Sequence, residues 1–400
     1  MHVLQTRDTT LPMPLLDVLR LSRAPAAAFV VIGLYWGTFA AYVPVIKSNI
    51  GASDAMFGLL LLGSALGLVT SMWLAPWVDR WLGAIGLKTG SILIAFAFLL
   101  PAIATSPVFF CLSMVIVGTC SGLLDVLMNA RVSELEAREG RSLMNANHAM
   151  FSVAYAVAAL ATGVARELDL APIYMMVTVS LIVVFILRPM MVTTVVAIEE
   201  DNDENSGGYP WWPVLICGLV VLIAFMSEAT VETWSALHIE RTLHGGAAEG
   251  ALGPAMLGIT MAIGRFSGQV ITEKFSETSV LVWASLLSAG GIILAAIAPV
   301  PVVAYIGFAI MGLGVSVIGP IGLALVGQLV RPRYRTEAIS KAAVMGFSGF
   351  FIAPVLMGGI SELYGLRAAF ASVSILLLPV VYLATIIARE KARTVLNPAR

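Results

Sequence analysis

Charge is what this sequence has least of. Only 12% of its 400 residues are Asp, Glu, Lys or Arg, whereas 59% are hydrophobic and the mean hydropathy is +0.94. A soluble domain carries roughly 25% charge, so no large water-soluble domain can be built from this chain. Cysteine is also scarce. Cys111, Cys120 and Cys217 all fall within apolar runs and share no paired spacing, which gives neither a disulfide framework nor a zinc site. No G-x-x-x-x-G-K-[ST], H-E-x-x-H or G-x-S-x-G occurs, which sets aside a membrane enzyme or receptor and leaves no cofactor or metal to expect. A net charge of −1 offers nothing to nucleic acid. Residues 1–23 carry Arg and Asp, and the apolar run behind them has no clear small-residue cleavage site. That run reads as a retained first helix rather than a signal peptide.

What the sequence has instead is twelve apolar stretches, near 24–46, 57–78, 88–105, 108–130, 145–165, 171–188, 212–236, 252–272, 279–298, 303–328, 338–360 and 367–388. Most reach the ~20 residues that cross ~30 Å of hydrocarbon as a helix. Strands of a barrel would alternate at short period, so the expected fold is an all-α membrane protein. The basic residues fall in alternate gaps. Eighteen of the 23 lie in gaps on the side of the chain ends, and four, Lys47, Arg166, Arg241 and Arg367, lie on the other side. Lys and Arg resist translocation, so both termini are expected in the cytoplasm.

The one long interior break spans 189–211 and carries Glu199, Glu200, Asp201, Asp203 and Glu204 before Ser206-Gly207-Gly208. It reads as a solvated cytoplasmic linker between two six-helix bundles, 1–188 and 212–400. An internal repeat supports that division. Gly58 and Gly63 match Gly253 and Gly258 at one offset, and Phe151-Ser152 and Gly163 match Phe347-Ser348 and Gly359 at an offset one residue larger. Asp79-Arg80 recurs as Glu273-Lys274, and tandem duplication of this kind is frequent in secondary transporters.

The loop after the second stretch reads Ala75-Pro-Trp-Val-Asp79-Arg80-Trp-Leu-Gly83. It resembles the G-x-x-x-D-R-x-G signature of the major facilitator superfamily, with Ala75 for the first glycine and Gly83 one place late. The resemblance extends over essentially the whole chain. It implies the major facilitator fold, two pseudo-symmetric six-helix bundles, and a gating role for Asp79 and Arg80. Gly264-Arg265-Phe-Ser-Gly268 looks like the second-half echo of that signature, which makes Arg265 a gating partner too. Asp125-Val-Leu-Met-Asn129 in the fourth stretch resembles the acid-x-x-x-Asn pattern of the fucose-permease-like branch. That branch is expected to carry a further acid in helix one, and Gly33-Leu-Tyr-Trp-Gly-Thr-Phe-Ala-Ala-Tyr42 has none.

Helix seven can supply the missing acid. Glu228 and Glu232 lie four apart, on one helix face, and two carboxylates so close do not both ionise easily in a dry site. Glu228, Asp125 and Glu232 are therefore the expected proton-coupling groups, Glu228 first among them. Tyr35, Trp36, Asn129, Tyr155 and Trp234 are the expected substrate contacts, since an aromatic with a polar edge can stack on a ring while hydrogen-bonding to it. His148, at the start of helix five, reads as a group in cytoplasmic water. The Gly- and Pro-rich pattern that marks drug–proton antiporters in helix five is absent there, because helix five has Gly163 but no proline.

These residues point to a secondary transporter of the bacterial inner membrane that takes up a small polar solute, a sugar or sugar-like acid, with protons. The alternative is a proton-driven exporter of drugs or amphipathic metabolites. Its partners are the solute, protons and the bilayer, and a monomer is the expected working unit.

Overall fold

A computed structural model describes residues 15–141, 143–188, 190, 209–331 and 334–396. The chain is helical throughout the described residues. In order, the helices are α1 (Leu15–Leu21), α2 (Arg23–Asn49), α3 (Asp54–Leu60), α4 (Leu62–Leu82), α5 (Gly86–Ala97), α6 (Leu99–Ala102), α7 (Pro107–Glu139) and α8 (Met144–Glu167). Then come α9 (Pro172–Ile186), α10 (Trp211–Leu237), α11 (Ala247–Lys274), α12 (Glu277–Ile297), α13 (Pro301–Leu329), α14 (Arg335–Phe347) and α15 (Gly349–Leu396). Local chemistry sets their ends. Proline opens α7, α9 and α13, where its missing N–H costs nothing, and Ser53, Ser106 and Ser276 accept backbone N–H bonds from the first turns of α3, α7 and α12.

Nine helical stretches among the described residues are long and apolar enough to cross a membrane. Two of them, Asp54–Ala102 and Glu337–Arg393, run to 49 and 57 residues, more than twice the ~20 that one crossing needs. Each is broken at a glycine with positive φ, Gly83 at 48° and Gly365 at 82°, a conformation that a side chain disfavours, and there the chain turns back. With the shorter apolar helix α9, this makes twelve crossings. Large apolar side chains such as Trp73, Leu112, Phe185 and Trp283 point outward, where only lipid can cover them. The tail of α7 outruns its expected span: nine further residues, Arg131 to Glu139, continue the helix into a charged segment.

The expected linker 189–211 lies mostly outside the described residues; α10 begins at Trp211, inside its last position. The first six crossings pack together through α2 on α8 and α4 on α7, the last six through α12 on α13 and α10 on α15. The two sets meet along α8 with α11 and along α3 with the first part of α15. Those are the second, fifth, eighth and eleventh crossings. The sequence repeat maps the second onto the eighth and the fifth onto the eleventh, so it exchanges one contact for the other, as a pseudo-two-fold axis requires. At both contacts the backbones nearly touch. A Cβ on Gly58 would lie 2.2 Å from the Pro354 carbonyl oxygen, and one on Gly163 would lie 2.8 Å from Ala251 Cβ.

Candidate transport site

The helices enclose a central cavity of about 220 Å³ between the two sets. α2 supplies Trp36 and Phe39, α7 supplies Ser121 and Asp125, α8 supplies Phe151 and Tyr155, and α10 supplies Glu228 and Glu232. Phe347 and Phe350 face them from α14 and α15. The three carboxylates named from sequence thus share one chamber. They come from α7 and α10, more than 100 positions apart, so only the tertiary fold brings them together.

Each carboxylate has a different setting. Glu228 accepts a hydrogen bond from Arg265 Nη2 at 3.1 Å, and both side chains are largely buried. The same guanidinium donates through Nη1 to Ser152 Oγ at 2.5 Å and to the His148 carbonyl at 3.3 Å. Arg265 therefore ties α11 to α10 in its own half and to α8 in the other. A lone guanidinium at this depth would be costly, and pairing with Glu228 offsets that cost. Asp125 accepts from Asn129 Nδ2 at 3.1 Å, while the same nitrogen donates to the Asp125 carbonyl at 2.9 Å. Glu232, one turn beyond Glu228, has no hydrogen-bond or ion-pair partner among the described residues.

The expected substrate contacts divide. Trp36 and Tyr155 line the cavity. Tyr155 is 1% exposed, and its hydroxyl finds no hydrogen-bond partner among the described residues. Tyr35, Asn129 and Trp234 are not among the residues that line it. Tyr35 donates to Ser180 Oγ at 2.8 Å, since that serine gives its own proton to the Met176 carbonyl, and its ring stacks on Phe98. One position on a helix is ~100° of rotation, so Trp36 reaches the cavity while Tyr35, next to it and touching the same Phe98, does not. Trp234 is fully buried edge-on to Phe57, and Asn129 is turned to Asp125. His148 does not stand free in water: its ring lies against Phe29 at 4.7 Å.

The signature loop works through a residue that sequence reasoning counted only as a loop charge. Asp79 pairs with Arg131 of α7, which is 3% exposed and also donates to Glu134 at 2.6 Å, whereas Arg80 is exposed. Glu136 then accepts from the backbone N–H groups of Leu143 and Met144 at 2.5 and 2.8 Å and caps the start of α8. Both departures from the signature are accommodated. Ala75 is buried and small, and the late Gly83 ends α4 one residue further on.

At the face opposite the chain ends, two ion pairs join the halves. Arg166 of α8 forms a bidentate pair with Glu240 at 2.6 and 2.8 Å and also donates to the Ala41 carbonyl. Asp54, 4% exposed at the start of α3, pairs with Arg241 and with Lys47 and accepts from Ser361. Glu362 closes the cluster by accepting from the N–H groups of Asp54 and Ala55. Sequence reasoning treated these as loop charges. Three of the four basic residues on the face that otherwise excludes them are used here, and that scarcity was the available signal.

Twelve membrane-crossing helices around one chamber with ionisable walls, closed at one face by ion pairs between the halves, define a solute carrier. The Major Facilitator Superfamily model matches residues 26–271 and 214–400, and the chain belongs to that family. It is 31% identical over 365 residues to an uncharacterized MFS-type transporter of Yersinia pestis, covering 88% of this chain and 92% of that one. Among solved structures it resembles a bacterial homolog of the human lysosomal transporter Spinster in an inward-facing, occupied conformation, with a TM-score of 0.74 at 14% identity over 95% of this chain and 98% of that one. It also resembles a D-xylose–proton symporter, with a TM-score of 0.70 at 13% identity over 94% of this chain and 97% of that one. The protein is a multi-pass secondary transporter, not an enzyme.

Proposed function

We propose that the protein moves a small polar solute across the bacterial inner membrane together with protons, by alternating access of its two six-helix halves to the central cavity. The observation that carries this reading is the convergence of Asp125, Glu228 and Glu232 on one central chamber. A charged carboxylate there is expensive, and taking up a proton removes that cost. Glu228 is the principal coupling group, because protonating it releases Arg265, which holds α8 and α11 together across the halves. With both chain ends in the cytoplasm, the ion-paired face is external and is the closed one. The Asp125–Asn129 pair supports kinship with the fucose-permease-like branch, and with it uptake.

The test is proton flux in proteoliposomes with a pH-sensitive dye, screened against sugars, polyols, organic acids and organic cations. Adding the solute outside is expected to alkalinise the external medium, and Glu228→Gln to abolish proton-driven accumulation while sparing solute binding. Accumulation unchanged in Glu228→Gln removes Glu228 from the coupling step. A second reading, export in exchange for protons, is favoured by the aromatic walls from Trp36, Phe39, Phe347 and Phe350, which suit an amphipathic solute. Acidification outside on adding such a compound there would support it.

A further inference from the structure

The charges that line the cavity have one sign. Asp125, Glu228 and Glu232 are there, and no Lys, Arg or His is among the described residues that line it. Arg265 pairs directly with only one of the three, because its N–H groups are taken up by Glu228, Ser152 and the His148 carbonyl, although its charge also reaches Glu232. Asp125 has a neutral amide for a partner and Glu232 has none. Two further groups await a ligand. Tyr155 and Ser121 are more than nine-tenths buried and line the cavity, and neither hydroxyl has a hydrogen-bond partner among the described residues. Around them stand Trp36, Phe39, Phe151, Phe347 and Phe350, whose ring faces attract a cation that has left water.

We propose that the transported solute is an organic cation, an amine on a small body with an apolar or ring face, seated with its ammonium at Glu232. Its N–H groups donate to that carboxylate and to the hydroxyl oxygen of Tyr155, and its body stacks on Trp36 and Phe39. An anionic solute would meet two unanswered carboxylates at low dielectric, and a neutral one would leave them unanswered. The assignment rests on the central cavity being the transport path. It narrows the polar solute to its amine-bearing members and excludes the sugar-like acid.

The test is calorimetric binding to the purified full chain in lipid nanodiscs, with two matched series: phenethylamine, 2-phenylethanol and phenylacetate, then glucosamine, glucose and glucuronate. The amine of at least one series is expected to bind tenfold or more tightly than its neutral partner, with no binding of the acid. Glu232→Gln should erase that preference and Glu232→Asp, which keeps the charge, should retain it. An acid or neutral member binding as well as its amine in both series overturns the assignment, as does amine affinity unchanged in Glu232→Gln or no binding of either amine. Transport separates the two readings. Coupled uptake of a neutral or anionic member leaves the carrier reading standing and ends the cation assignment; an amine that binds through Glu232 and crosses without moving protons keeps the assignment and ends the proton-coupled reading.

Discussion

Arg265 shows most directly how one side chain can serve several parts of this molecule. It neutralises Glu228, and it hydrogen-bonds to Ser152 and to the His148 carbonyl in the other half. Removing it leaves a buried carboxylate without its cation, a class of change that costs about 3–5 kcal/mol. Arg265→Ala is therefore expected to lower the melting temperature in detergent and to cut transport at least tenfold. Glu228→Gln made in the same background should recover part of the lost stability, because it removes the stranded charge. Thermal melts of the two single variants and the double variant check this, and equal melting temperatures for all of them would show that the pair carries no weight. Sequence reading found both partners, but as separate candidates. A guanidinium deep in an apolar run demands a carboxylate; which of several carboxylates answers it depends on how α10 and α11 are rotated against each other.

Helix contacts decide more than single residues do about which face is open. The α3–α15 contact is close because Gly58 and Gly358 lack side chains: a Cβ on Gly58 would lie 2.2 Å from the Pro354 carbonyl oxygen, and one on Gly358 would lie 2.5 Å from that of Asp54. Both obstacles are backbone atoms, which cannot swing aside. Gly58→Leu is expected to keep the two halves apart at the face opposite the chain ends and to leave the cavity reachable from there. Spin labels at Asn49 and Leu363, both exposed, in a background with Cys111, Cys120 and Cys217 replaced by alanine, should give a longer distance in Gly58→Leu than in its parent. The same distance in both would mean that the contact yields elsewhere. The repeat that pairs the second crossing with the eighth and the fifth with the eleventh was legible in the sequence. That these four helices are the ones that meet across the halves was not.

For the whole molecule, the balance between conformations turns on the two ion pairs at that same face, Asp54–Arg241 and Arg166–Glu240. Both join the halves, and both must break if the face is to open. Removing Arg241 strands Asp54 beside Lys47 alone, and removing Arg166 strands Glu240. Arg241→Ala with Arg166→Ala is expected to favour opening at this face. A cysteine placed at Ala40 on the cavity wall, again in the cysteine-free background, should then react faster with a membrane-impermeant thiol reagent added from that side, by about tenfold for each ~1.4 kcal/mol by which the equilibrium moves. An unchanged rate would mean that packing along α8–α11 and α3–α15 holds the face shut without the charges.

By itself the sequence determined the class of this protein. Apolar runs of ~20 residues have few structural options in lipid, because every backbone N–H and C=O must find a partner within the segment, and that fixes helices. Composition, the glycine turns and the signature loop carry the family. Asp125, Glu228, Glu232, Trp36 and Tyr155 were legible too, as polar or ionisable groups in segments where such groups are costly. Tertiary structure alone decided that these five share one chamber while Tyr35, one position from Trp36, stands outside it. It also decided that Arg131 answers Asp79, and that Lys47, Arg166 and Arg241 seal a face rather than decorate loops. The reason is geometric. Sequence spacing places a residue on a helix face, but which neighbour that face meets depends on rotations and crossings set by contacts more than a hundred residues apart.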